Sequence, residues 1–304
     1  MIKYLLISIV IVASISAYIW HISVVPLRFE LYVFNTKGKP AIFIRTPQDE
    51  RVLINGGANS DAIRYITKVI PFYSRRIDMV VLTNDDANNV TGLIDVINRY
   101  KVGSIIIPAI TTRSLGLASS TDEIYETFMN TVSASHIPIK EVKMGDTIEH
   151  SHFKVDVLFP ALDSEDVASM HSTTSKQFSY SKASVPELVL KITYGRTAFL
   201  LIGDVSTKIQ KFIAKASPMA NVLIIPHSAS ASALSLDLVN AVQPEFIVYT
   251  QAITSAQSSS KISSRVSKIK NVDPLYMILD DHRLNLKQKN TIRVLSDGES
   301  VEVR

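Results

Sequence analysis

Short apolar runs punctuate this chain from residue 28 to its end, and the way they are joined narrows the folds open to it. Arg28–Phe34 and Ala41–Thr46 read as strands linked by the turn Asn35-Thr36-Lys37-Gly38-Lys39-Pro40, where Gly and Pro interrupt the pattern. Arg51–Ile54 is a third strand, running into Asn55-Gly56-Gly57. Strands then alternate with helical spacing: a helix over Ser60–Ile70, a buried strand Met79–Leu82, a helix Gly92–Tyr100, a strand Ser104–Pro108, and a helix Thr121–Ala134 with Thr121 as cap. The second half repeats the style. Phe153–Phe159, Glu187–Tyr194 and Thr197–Ile202 read as strands. A helix Val205–Ala214, a strand Val222–Ile225, a helix Ser235–Val242 and a strand Phe246–Thr250 follow. Tyr276–Ile278 and Thr291–Leu295 close the series, with a hairpin turn at Ser296-Asp297-Gly298. Strand pairs mixed with strand–helix units predict an α/β fold, two sheets sandwiched between helices (αββα), in one domain over 28–304. The 46% hydrophobic content is ample for its core. The polar, serine-rich stretch Ser164–Lys182 reads as a mobile loop.

The N-terminus departs from that pattern. MIKYLLISIVIVASISAYIWHISVVPL has one Lys and then no charge from Tyr4 to Leu27. A bilayer core needs about 20 apolar residues, so residues 1–27 predict an uncleaved transmembrane helix, with Tyr18 and Trp20 at the interface. A cleaved signal peptide is the competing reading, and Ser14–Ala17 is a poor cleavage site for it. Lys3 ahead of the span puts the N-terminus in the cytoplasm. The chain is then a single-pass protein of the cytoplasmic membrane, its C-terminal domain extracytoplasmic. The formal charge of +4, with a pI near 9.0, is small and spread out, a weak footprint for nucleic acid. The absence of cysteine excludes a disulfide framework, thiolate zinc sites and thiol catalysis.

Four stretches occur in a telling order: RVLINGG (51–57), DMVVLTNDDANNVTGL (78–93), ELVLKITYGRTAFLLIGDV (187–205) and NVLIIPHSASAS (221–232). With the opening FELYVFNTKGKPAIFIRTPQDERVLINGG, they make the chain from about Arg28 onward resemble the metallo-β-lactamase-like domain of the competence-type DNA-uptake channel proteins. The resemblance implies the αββα fold. It also implies, in an intact member, a metal loop reading Thr-His-x-His-x-Asp-His-x-x-Gly-Leu. Here Thr83, Gly92 and Leu93 match. Asn84 and Asp86 stand at the first two His positions, Asn88 at the Asp, and Asn89 at the third His. Asn55 replaces the Asp that ends the preceding strand, while Gly203-Asp204 keeps the motif of the bridging carboxylate. A later His-His-Gly-Ser is reduced to His227-Ser228-Ala229-Ser230, and the final His-Pro has no match near Thr250–Arg265.

These losses bear directly on chemistry. Two metals held by imidazoles and carboxylates bring the pKa of a bridging water near neutrality and clamp the substrate's oxygens. Imidazole suits zinc and manganese, whereas a carboxamide is a weak, neutral donor. Asp86, Asp204 and His227 alone remain as ligands at matched positions. Three ligands from separate loops hold at most one hard ion, and weakly. No zinc or manganese cofactor is therefore expected.

Each candidate also has a plainer reading. Asn84, Asn88 and Asn89 suit a strand-to-helix turn, or else line a polar pocket that binds a ligand without metal. Asp204 reads as the cap of the helix from Val205, and His227 as a lone structural histidine at a strand end. His150 and His152 read as solvated, and Asp280, Asp281 and His282 as a turn. The serine-rich loops Ser228–Ser235 and Ser255–Ser264 lack a base in nucleophile geometry. Lys261, Arg265 and Lys268 share a helix face and, with Lys270, form a basic stripe. That stripe is either solvated or a phosphate contact, and no aromatic residue interleaves with it.

The sequence thus predicts a membrane-anchored pseudoenzyme that binds DNA or an envelope protein. Two alternatives stand beside it: a single-metal phosphodiesterase using Asp86, Asp204 and His227, and a purely structural envelope module. Fold alone does not choose among them.

Overall fold

Side-chain alternation within the strands decides where the core lies. The computed structural model describes residues 2–22, 28–36, 39–110, 122–150, 152–161, 187–225, 234–249, 277–278 and 291–304. In chain order the elements are α1 (Ile2–Ile22), β1 (Phe29–Phe34), β2 (Ala41–Arg45), β3 (Arg51–Ile54), α2 (Asp61–Val69), β4 (Arg76–Val81), α3 (Ala87–Arg99), β5 (Lys101–Pro108), α4 (Asp122–Ala134), β6 (Ile139–Val142), β7 (Thr147–Glu149) and β8 (Lys154–Phe159). They continue as β9 (Val189–Tyr194), β10 (Thr197–Leu201), α5 (Thr207–Ala214), β11 (Val222–Ile225), α6 (Leu236–Val242), β12 (Phe246–Tyr249), β13 (Met277–Ile278), β14 (Thr291–Ser296) and β15 (Val301–Val303).

The strands form two sheets. One has the order β15-β14-β1-β2-β3-β4-β5-β6, the other β13-β12-β11-β10-β9-β8-β7. Phe29, Leu31 and Val33 of β1 and Phe199 and Leu201 of β10 point into the layer between the sheets. The alternate residues Tyr32 and Phe34 face a second layer, where Ile63 and Ile66 of α2, Val90, Leu93 and Val96 of α3, and Phe128 of α4 cover the first sheet. Ala198 and Leu200 face a third layer under Ile209 and Phe212 of α5 and Leu238 and Val242 of α6. This is the expected αββα sandwich. Burial on both faces explains why the strands read as continuous apolar runs.

Three local expectations are corrected. α3 begins at Ala87, five residues before the predicted Gly92, because Asp86 caps it by accepting from the Asn88 amide at 2.8 Å. β6 was not foreseen; its IKEV is mostly exposed at a sheet edge and carries no apolar run. β7, three residues long, is too short to show a period. Thr121, the stretch Ser164–Lys182, the loop Ser255–Ser264 and the Asp280-Asp281-His282 cluster lie outside the described residues, as does most of Ser228–Ser235.

α1 is helical over 21 residues. Among the described residues, however, no helix is long and apolar enough to cross a membrane. On α1 the described side chains are those at 3–4, 6–16 and 18. They fall short of the about 20 residues a span requires, so the transmembrane helix expected within 1–27 is not supported by them.

Candidate functional site

Five segments meet at one end of the sandwich, and strand direction brings them there. β3 and β4 run parallel, so Asn55 and the segment Thr83–Asp86 leave the first sheet side by side. β2 runs antiparallel to β3, with Ile42 opposite Ile54, which sets Lys39-Pro40 beside Asn55. In the second sheet Leu190 faces Leu201 across the antiparallel β9/β10 pair, so Glu187 precedes one strand where Gly203-Asp204 follows the other. Crevices outside the carboxyl ends of strands are the usual ligand sites of α/β sheets.

Here the crevice is filled by the protein's own polar groups. Asn55 adopts φ of 60°, a left-handed conformation that asparagine tolerates better than most residues. Its Nδ2 donates to Thr83 Oγ1 at 2.9 Å, and its Oδ1 accepts from the Thr83 amide at 2.9 Å. With Asn55 thus satisfied, the Thr83 hydroxyl is free to donate to Glu187 Oε1 at 3.1 Å. Asn89 Nδ2 donates to Asn84 Oδ1 at 2.5 Å, and Asn84 Oδ1 also accepts from the Asp86 amide at 3.1 Å. Asn84 and Asn89 are both buried, and Asn89 Oδ1 has no hydrogen-bond partner among the described residues. Asn88 is exposed and contributes only its backbone amide to the cap.

Charge completes the filling. Glu187 is buried, and Asp204 donates its amide to Glu187 Oε2 at 2.6 Å. Burial holds the Glu187 carboxyl above the usual carboxylate range, and the Lys39 ammonium, the Asp204 amide and the Thr83 hydroxyl offset only part of that. Lys39 faces the same space, its ammonium 3.5 Å from Asp86 Oδ2 with 15% of the side chain exposed. Burial alone would lower the Lys39 pKa; the fields of Glu187, Asp86 and Asp204 outweigh it and hold the ammonium above its ordinary value. A cavity of about 30 Å³ remains, walled by Lys39, Asn55, Thr83, Asn89 and Glu187. Between these side chains there is room for a water.

Among the described residues, the donors do not fit the pair of metals that the resemblance implies. Amides stand at most of the loop's ligand positions and bond to one another or stay outside. Asp86 is held by the helix cap and by Lys39. A lysine ammonium already supplies cationic charge among the carboxylates, and like charge repels a metal there. Among the described residues, no group of three or more His, Cys, Asp or Glu is arranged to hold a metal ion.

The structure brings Asn55, Asn84, Asp86 and Asn89 together and sets Asp204 at their edge. Two expectations are corrected. Asp204 does not cap the next helix; the helix starts at Thr207, and Ser206 caps it by accepting from the Ile209 amide at 3.5 Å. His150 is not simply solvated: it stacks on Phe153 and its Nδ1 lies 3.0 Å from Glu50 Oε1. His227 and the basic residues Lys261, Arg265, Lys268 and Lys270 lie outside the described residues. Sequence reading missed Lys39 and Glu187. The one signal at Glu187 is a lone carboxylate heading an apolar strand. Lys39 sat in a turn that reads as a simple connection.

Gly203 has a part in this arrangement. Its φ is +57°, and a Cβ there would lie 2.5 Å from Glu187 Cδ. Only glycine lets the Glu187 side chain pass.

No protein-family model matches the chain, and no curated protein matches it in sequence. Solved structures do match. The metallo-β-lactamase fold protein YhfI from Bacillus subtilis aligns at 11% identity with a TM-score of 0.53, covering 83% of this chain and 95% of that one. A variant of the CmlA β-hydroxylase aligns at 14% identity with a TM-score of 0.51. That match covers 84% of this chain but only 53% of CmlA, so the chain spans about half of that enzyme. At these identities the matches speak to fold alone: the two sheets and their flanking helices make a metallo-β-lactamase fold.

Proposed function

We propose that this metallo-β-lactamase-fold chain works by binding rather than by metal-dependent hydrolysis, held at a membrane by its N-terminal helix, with DNA or an envelope protein as partner. One observation above all supports a reading without hydrolysis: the segments that meet at the crevice spend their polar groups on one another, with Lys39 supplying the cation. Metal-assisted hydrolysis needs an open coordination position and room for substrate. The crevice offers about 30 Å³. The ordered motif set supports a partner from DNA uptake or the envelope. The exposed apolar side chains of α1 support the membrane reading: Leu6, Ile7, Val10, Ile11 and Ile15 are each more than half exposed. A helix apolar on every face needs an apolar surrounding.

The test uses the purified full chain. It is given excess zinc or manganese, dialysed and assayed for metal per chain, and then for cleavage of DNA and of a model phosphodiester. The expected result is no retained metal and no cleavage, with gel-shift and pull-down assays identifying the partner. One retained metal per chain, lost in Asp204→Ala or His227→Ala and accompanied by cleavage, would overturn this reading for a single-metal hydrolase using Asp86, Asp204 and His227. Absence of both cleavage and any bound partner would leave a structural envelope module.

A further inference from the structure

The end of the sandwich opposite the crevice carries an unusual surface. Strand direction places Arg45 at the end of β2 and Arg51 at the start of β3 in one row, and β4 begins beside them. The loop Pro71-Phe72-Tyr73-Ser74-Arg75 enters β4 at this end. Phe72 is 83% exposed and Tyr73 58% exposed, their rings edge to face at 5.5 Å. The loop is not loose. The Ser74 amide closes a turn on the Pro71 carbonyl at 3.0 Å, and the buried Arg51 guanidinium donates to Ser74 Oγ at 2.7 Å and to the Arg76 carbonyl at 3.2 Å. A pinned loop that shows two aromatic rings to solvent is presenting them.

Basic side chains lie on the elements that adjoin the loop. Arg64 pairs with Asp61 and Arg76 with Asp78. Arg75, Arg99 and Lys101 are exposed and make no ion pair among the described residues. Beside Phe72, a groove of about 360 Å³ runs between the ends of α2 and α3, lined by Ile63, Ile70 and Tyr100 together with Arg75 and Arg99. Apolar lining with two uncommitted guanidinium groups suits a molecule that is part hydrocarbon and part anion.

Connectivity chooses among such molecules. β1 starts at Phe29, and Glu30 pairs with Arg45, so β1 begins at this same end of the first sheet. Three strand spacings, about 14 Å, separate the start of β1 from the start of β4. Only residues 23–27 join α1 to Arg28, a tether of at most about 20 Å. The apolar helix and the aromatic, basic loop therefore leave the domain at one end.

We propose that this end of the domain docks on an anionic phospholipid surface, with Phe72 and Tyr73 in the interface and Arg75, Arg99 and Lys101 on the lipid phosphates. Exposed aromatic rings settle at the headgroup level, and each nearby Lys or Arg adds attraction to anionic lipid. Docking turns the crevice end away from the membrane. The inference rests on the membrane reading of α1 for its choice of lipid, and its test separates the two.

The chain contains no cysteine, so a single introduced one takes a dye uniquely. Full-length Tyr73→Cys, Ser14→Cys and Asn88→Cys are each labelled with an environment-sensitive dye. They are reconstituted in phosphatidylcholine vesicles with and without phosphatidylglycerol, using lipid-borne quenchers. The expected result is quenching at 73 and 14 in the anionic vesicles and none at 88. Arg75→Gln with Arg99→Gln then lowers the docked-to-undocked ratio at 73 roughly fivefold for each charge removed, with quenching at 14 unchanged. Quenching at 14 with an aqueous dye at 73 overturns docking and leaves the anchor. Quenching at 73 without quenching at 14 supports docking and overturns the anchor. A dye at 73 that responds to a single-stranded oligonucleotide and not to vesicles makes the surface a nucleic-acid face and overturns the proposal.

Discussion

The Thr83 hydroxyl donates to Glu187 Oε1 at 3.1 Å, and the Leu188 amide donates to the Thr83 carbonyl at 2.8 Å. These two bonds join the end of β4 in one sheet to the head of β9 in the other. They close the crevice between the sheets.

Thr83→Val keeps the shape and removes the hydroxyl. Asn55 Nδ2 and Glu187 Oε1 then lose a buried partner, and each orphaned group costs about 1–3 kcal/mol. The expected loss of stability is at least about 2 kcal/mol, read as a shift in the urea midpoint at unchanged slope. An unshifted midpoint would remove Thr83 from the closure.

Glu187 makes stability depend on pH. Its folded-state pKa lies above the ordinary 4.5, so the folded state holds this proton more tightly than the unfolded chain does. The stability linked to it is complete below pH 4.5 and declines as pH rises through the raised folded value. Glu187→Gln keeps an acceptor for the Asp204 amide and removes the ionisation. The variant is expected to lose less stability than the parent on going from acid to neutral pH. Parallel pH–stability curves for the two would show that Glu187 titrates normally.

Lys39 balances that carboxylate. Removing one partner of a buried charge cluster costs about 3 kcal/mol or more, because the other charges stay buried. Lys39→Met should therefore destabilise strongly at neutral pH, and much less in a Glu187→Gln background. A double-mutant cycle gives the coupling, and additive effects would separate the two residues.

Packing accounts for the glycine at Gly92. A Cβ at Gly92 would lie 2.0 Å from the Gly56 carbonyl oxygen and 2.6 Å from that of Asn59. The Gly92 amide donates to the Gly57 carbonyl at 2.9 Å, stitching α3 to the end of β3. Gly92→Ala should cost at least about 2 kcal/mol through forced backbone movement, measured by thermal unfolding. A neutral substitution would mean that the two segments separate easily.

How much of this was readable differs from element to element. β1 to β3 and β9 to β11 were legible as strands because unbroken apolar runs mark burial on both faces. β6 and β7 were not, since an exposed edge strand and a three-residue strand carry no such run. The polar side chains Asn84, Asp86, Asn88 and Asn89 were legible as one group because they fall in a single short loop. The charged pair that faces them was not. Lys39 and Glu187 stand far apart in the chain, and neither has a neighbour in sequence that betrays its partner.

The sequence by itself determined the layers of the fold and the polar make-up of the loop Thr83–Asn89, because hydrophobic period and local composition are properties of short segments. Only the tertiary structure decided that a buried carboxylate and a lysine ammonium close the crevice, and that aromatic and basic side chains gather at the opposite end. Both depend on strand register across two sheets, which sets distances between residues that no local pattern records.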